Sequence, residues 1–140
     1  MIGLLYKSTA SRAMTPLAID HMLKKARIRN RQRHLTGVLV FSDQFFMQYL
    51  EGPEETVRDV FQAIQADQRH NNVKELLVEE VAGREFGEWS MAYLPMYTKG
   101  QAAAQDIVAS QLTAHDGPVS RARAMLLEFV QPANGRPTSH

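Results

Sequence analysis

The sequence predicts an α+β fold: a five-stranded mixed sheet with two helices on one face and a C-terminal helical pair on the other. Three observations carry that reading. Five short apolar or alternating runs of strand length are interleaved with two stretches of helical periodicity. The strand residues are apolar at both parities, so both faces of the sheet need a cover. Beyond Pro95 two further amphipathic stretches follow, and they can supply the second cover.

Ile2 to Ser8 alternates and stops short, as a strand does. Thr15-Pro16 then offers an N-cap and a first-turn proline. Ile19, Met22, Leu23 and Ala26 follow at helical spacing, which predicts a helix to about Ile28. Its end is dense in cations: Lys24, Lys25, Arg27, Arg29, Arg31 and Arg33. Leu35 to Phe41 reads as a second strand, Ser42-Asp43-Gln44 as a tight turn, and Phe45 to Leu50 as the third strand of a hairpin. Gly52-Pro53-Glu54-Glu55 opens a second helix, with proline and acids where the helix dipole favours them. Val57, Val60, Phe61 and Ile64 are its buried stripe. Asp67 to Asn72 is a polar break, Lys74 to Val81 a fourth strand and Trp89 to Leu94 a fifth. The order βαββαββ is that of a ferredoxin-like layer.

The expected organisation is one sheet domain over residues 1–97, a helical extension over 98–131 that packs on the sheet, and a frayed tail over 132–140. In the extension Ala104 to Leu112 is weakly amphipathic, and Ala122, Met125, Leu126 and Phe129 mark a clear last helix. Strand parity puts Ile2, Leu4, Tyr6, Leu39, Phe41, Phe46, Leu50, Trp89 and Met91 on the face under the first two helices. Leu5, Val38, Val40, Phe45, Met47, Tyr49, Ala92 and Leu94 fall on the other. Left bare, that second face would expose several hundred square ångströms of apolar surface. The C-terminal pair or a partner subunit must cover it.

Composition narrows the function. A hydrophobic content of 44% against 22% charged residues is that of a folded chain, not a disordered one. With 16 basic against 15 acidic residues, no general attraction to nucleic acid or anionic membrane is expected. There is no cysteine, which excludes disulfides and thiolate chemistry. His21, His34, His70, His115 and His140 show no ligand spacing, so no metal site is expected. No run approaches the roughly 18 to 20 apolar residues of a membrane helix, and Met1 to Lys7 lacks a signal peptide's basic start. A soluble, cytoplasmic protein is expected.

One residue on the first apolar face is out of place. Gln48 shares its parity with Phe46 and Leu50, and a primary amide buried without partners costs about 1–3 kcal/mol. Tyr6 lies on the same face and is its obvious partner. The phenol stays neutral, because burial can only raise an ordinary pKa of about 10. A plain core tyrosine tied to a core glutamine is one reading, and a ligand contact is the other. Asn30 brings a second amide to the end of the first helix, as a C-cap or as a ligand contact. Trp89 and Met91 share a strand face and either pack in the core or flank an aromatic ligand.

The combination resembles the BLUF domains, sensors of blue light using FAD. The matching stretches are Leu4-Leu5-Tyr6-Lys7-Ser8, Arg29-Asn30, Leu35-Thr36-Gly37-Val38-Leu39, Phe46-Met47-Gln48-Tyr49-Leu50-Glu51-Gly52, Asp67-Gln68-Arg69-His70 and Phe86-Gly87-Glu88-Trp89-Ser90-Met91. They fall in order over about residues 1–97. The resemblance implies non-covalent FAD, its isoalloxazine between the first two helices against the sheet. Asn30 would bond the ring's polar edge, and Gln48 would lie between ring and Tyr6, reaching N5 or the C4 carbonyl. Trp89 and Met91 would stand near that glutamine. Arg69 and His70 would neighbour the ribityl-phosphate end.

The resemblance also implies a photocycle rather than catalysis in the chain's own right. Tyr6 gives up an electron and, through Gln48, a proton; both return, and Gln48 is left rotated or tautomerised, which shifts absorption to the red. Signal would leave through Met91 and Trp89 to the C-terminal helices and on to an unidentified effector protein or a homo-oligomer. One departure is Arg29, where relatives often carry Asn or His; it contacts the flavin or its phosphate, or points to solvent. Two rivals are a flavin-free ferredoxin-like interaction module and a small acylphosphatase-like hydrolase. The second lacks an early glycine-rich loop, since Gly3 is the only glycine before Gly37.

Overall fold

The computed structural model describes residues 1–10, 15–42, 44–67, 70–86, 92–96 and 121–130. In chain order the elements are β1 (Ile2–Ala10), α1 (Pro16–Gln32), β2 (Thr36–Ser42), β3 (Phe45–Gly52), α2 (Glu54–Ala66), β4 (His70–Glu80), β5 (Ala92–Met96) and α3 (Arg121–Val130). The strands form one sheet in the order β4-β1-β3-β2-β5. The first four are mutually antiparallel, and β5 joins the free edge of β2 in parallel.

Thr15 caps α1 through its Oγ1, which accepts from the Ala18 N–H at 3.1 Å, and Pro16 opens the first turn. Ile19, Met22 and Leu23 are buried as their spacing predicts. The helix continues past Ile28 to Gln32. Arg33 is the C-cap, His34 takes the left-handed conformation at φ 59°, and the Leu35 N–H bonds the Asn30 carbonyl at 2.8 Å. Asn30 is therefore inside the helix, not at its cap. The run of cations hid this, because their long stems keep a helix whatever their heads face.

β4 begins at His70, four residues before the expected Lys74. It is an edge strand, so its polar residues need no second neighbour, and β1 supplies the ladder. Its pairing slips between Lys7 and Thr9, where Asn72 sits at φ 52°. β5, Ala92–Met96, runs two residues past the expected Leu94 and takes in Pro95, which an edge strand tolerates.

Two apolar clusters sandwich the sheet. The inner one joins Ile2, Leu4, Tyr6, Leu39, Phe41, Phe46 and Leu50 to Ile19, Met22 and Leu23 of α1 and to Val57, Val60, Phe61 and Ile64 of α2. The outer one joins Leu5, Val38, Val40, Met47, Tyr49 and Leu77 to Phe86, and α3 closes it with Ala122 and Leu126. Each of these large side chains contributes about 1.5–3 kcal/mol by leaving water. Phe45 keeps the face that parity gives it but not the expected burial. It lies exposed at the hairpin end, where the Lys7 ammonium stands 4.8 Å from its ring centre. Ala104 to Leu112, the other expected half of the C-terminal pair, and the tail lie outside the described residues, as do Arg69, Trp89 and Met91. Among the described residues no helix is long and apolar enough to cross a membrane.

Candidate functional site

Tyr6 and Gln48 are direct partners across β1 and β3, and Leu39 is the neighbour of Gln48 on β2. Pleating sends all three to the inner face. The Tyr6 hydroxyl donates to Gln48 Oε1, and both side chains are buried. Tyr6 also packs its ring on Phe61 of α2, with centroids 5.5 Å apart. Burial pushes the Tyr6 pKa up, the Arg29 guanidinium pulls it down less strongly, and Asp67 adds a smaller push upward. The phenol is a neutral donor throughout the physiological range.

Above this pair α1 and α2 leave a cavity of about 290 Å³. Tyr6 and Gln48 form its polar floor. Met22, Leu23 and Ala26 of α1, Leu39 of β2 and Ile64 of α2 are apolar walls, and Lys25, Arg29 and Asp67 bring charge to its lining. The volume sits at the foot of the ~300–1,000 Å³ range of small-molecule pockets. Asn30 stands next to this cavity in sequence and is fully buried. Its Oδ1 accepts from Arg29 Nε at 3.2 Å and Nη2 at 3.1 Å. Arg29 lines the cavity and holds Asn30 at the same time. The His70 backbone begins β4.

The chain matches the model of the family described as sensors of blue-light using FAD over residues 1–92. It belongs to the BLUF family. BLUF domains bind FAD and act as sensory modules. Among relatives, the chain is 44% identical over 73 residues to the blue light- and temperature-regulated antirepressor BluF of Escherichia coli strain K12, which is 52% of this chain and 18% of that protein. It is 37% identical over 87 residues to the photoactivated adenylate cyclase subunit beta of Euglena gracilis, 62% of this chain and 10% of that one. The chain therefore spans less than a fifth of the length of these relatives. Among solved structures, the dark state of the BLUF protein BlrB matches with a TM-score of 0.67 and 30% identity, over 81% of this chain and 85% of that one.

The cavity fits the family's cofactor on chemical grounds. Its apolar walls suit a flat aromatic ring, its floor presents an amide and a phenol, and its cations suit an anion. Sequence reasoning found Tyr6, Gln48 and Arg29 but not Lys25, Asp67, Met22 or Ile64 as lining. Met22 and Ile64 were read as core, and only the gap between two helices, which has no signature along the chain, distinguishes wall from core.

Proposed function

We propose that this BLUF domain is a blue-light receptor that holds FAD non-covalently in the cavity between α1, α2 and the sheet. It signals by a hydrogen-bond switch at Tyr6 and Gln48 to a partner protein. The observation that carries this is the Tyr6 hydroxyl donating to Gln48 Oε1 at the floor of that cavity. When bound, the flavin supplies a chromophore that becomes a strong oxidant once excited by blue light. Tyr6 is the buried phenol that supplies the electron, and Gln48 carries its proton. A carboxamide has an acceptor and a donor at one end, so half a turn or a tautomeric shift of Gln48 exchanges the group it shows to Tyr6 and to the cavity. Two stable arrangements of one side chain are what a sensor needs.

In this reading Asn30 and Arg29 hold the ring's polar edge, Met91 and Trp89 stand near Gln48, and Arg69 and His70 attend the ribityl-phosphate end. Residues 1–97 are the sensor, 98–131 the extension that relays its state, and 132–140 a tail. The chain acts in the cytoplasm on a separate effector or through its own oligomer, without nucleic acid or membrane and without catalysis of its own. The names of its relatives, an antirepressor and a cyclase, support an effector of the same kind.

The test is an absorption spectrum before and after blue illumination. The wild-type protein is expected to be yellow and to shift its visible bands to the red. Tyr6→Phe and Gln48→Ala are expected to bind flavin with no red-shifted product. A normal photocycle in either variant overturns the switch, and colourless protein that refuses added FAD overturns the receptor.

A further inference from the structure

The outer face holds a buried carboxylate that the switch does not use. Glu51 is fully buried, three residues beyond Gln48 on β3 and on the opposite face. Its Oε1 accepts from the Glu85 N–H at 2.8 Å. Its Oε2 accepts from the Phe86 N–H at 2.6 Å and from Thr36 Oγ1 at 2.9 Å. Arg84 staples the same corner, bonding the Glu51 carbonyl and Thr36 Oγ1 at 3.1 Å each and the His34 carbonyl at 2.5 Å. These bonds fix the backbone of residues 84–86 against the ends of β2 and β3.

Glu85, so placed, meets α3. Its Oε1 lies 2.8 Å from Arg123 Nε, with the two side chains only 13% and 3% exposed. The Arg123 guanidinium also stands 4.5 Å over the Phe86 ring. By contrast another ion pair of this helix, Arg121 with Glu79, is long at 3.7 Å and more exposed, and contributes little. A ten-residue helix is marginal by itself, so α3 depends on what docks it. Ala122 and Leu126 provide its fully buried apolar contact. Removing the partner of a buried charge is strongly destabilising, whereas removing both charges is often neutral.

We propose that the Arg123–Glu85 pair is a latch holding α3 on the outer face, that Glu51 sets it by fixing the Glu85 backbone, and that light opens it. The dark half of this proposal stands without the flavin; the light half rests on the function proposed above. Glu51 and Gln48 share one strand, so a rearrangement around Gln48 that shifts β3 moves the anchor of Glu85.

Amide hydrogen exchange of the full chain tests it. In the dark, Glu85→Gln is expected to speed exchange over 121–130 by about tenfold or more while β1 and β3 stay protected. Arg123→Met should speed it about as much, and the double variant should be no faster than either single, because all three lose the same contact. Exchange in Glu85→Gln equal to wild type, or two single effects that simply add in the double variant, overturns the latch. Should Glu85→Gln fail to fold, wild-type exchange in mild urea decides instead: α3 must open before the sheet. Under blue light, wild-type exchange over 121–130 should rise and the double variant should not respond. A red-shifted product with unchanged exchange in wild type overturns the light half. A protein that makes no such product counts against the receptor itself, and the dark comparison still decides the latch.

Discussion

Among the described residues each face of the sheet buries one tyrosine near one polar side chain of β3. On the inner face Tyr6 donates to the neutral Gln48 under a cavity. On the outer face Tyr49 stands two residues before Glu51, whose charge adds to the upward push on its phenol and whose carboxylate is enclosed by backbone N–H groups and Thr36. An amide carries an acceptor and a donor at one end, so turning Gln48 exchanges what it offers Tyr6. A carboxylate only accepts, and here its donors are fixed in the chain, so the outer pair has one arrangement. The same strand thus carries an adjustable contact and a rigid one, three residues apart.

The largest effect that could break this contrast is at Glu51. Glu51→Ala leaves the Glu85 and Phe86 amides without their acceptor inside an apolar layer and is expected to cost about 3–5 kcal/mol, read from urea unfolding. Glu51→Gln keeps one acceptor oxygen and should lose clearly less. If Glu51→Ala were no worse than a surface substitution, the outer carboxylate would not be the rigid member of the comparison.

Next in size is the inner pair. Tyr6→Phe leaves one amide oxygen short of a donor, worth about 1–2 kcal/mol at most, because a carboxamide can turn toward another group. Tyr6→Phe combined with Gln48→Leu should be nearer to wild type than the sum of the single changes. A coupling energy near zero in that cycle would mean that the two side chains do not depend on each other.

How far this was legible in the sequence follows the same division. Parity alone exposed Gln48, because its neighbours Phe46 and Leu50 are apolar, and it paired Tyr6 with it correctly. The same parity argument applies to Glu51, which shares a face with Met47 and Tyr49, but the expected strand stops at Leu50 and the next helix opens at Gly52, so Glu51 falls between elements. Two of its donors, Glu85 and Phe86, are 34 and 35 residues away in the chain and offer only backbone, which leaves no mark on a side-chain pattern. Helix spacing gave the buried stripe of α2 in full. It stopped α1 early, because basic residues from Lys24 to Arg33 carry no apolar period, and it started β4 late, because an edge strand can be polar on its open side. The cavity lining was least legible: Lys25 and Asp67 belong to it only through the angle at which two helices leave the sheet.

The smallest expected effect compares the tyrosines directly. Both phenols are pushed above their ordinary value of 10.0, and burial is the largest cause for each, but the neighbours differ. Arg29 opposes the shift at Tyr6, whereas Glu51, Glu85 and Glu79 all add to it at Tyr49. A phenol that stays protonated on folding contributes its full stability below the unfolded value. Above about pH 10 the unfolded chain releases that proton and the folded chain does not, so stability falls with rising pH, by about 1.4 kcal/mol per unit for each such group. Tyr6→Phe and Tyr49→Phe should each make the alkaline limb of a urea-stability profile shallower, and by similar amounts just above pH 10. Neighbours set only where the folded phenol finally ionises, so a difference between the variants belongs at the top of the profile. Equal slopes in wild type and both variants would mean that neither hydroxyl is kept from water, and the buried tyrosine on each face would lose its support.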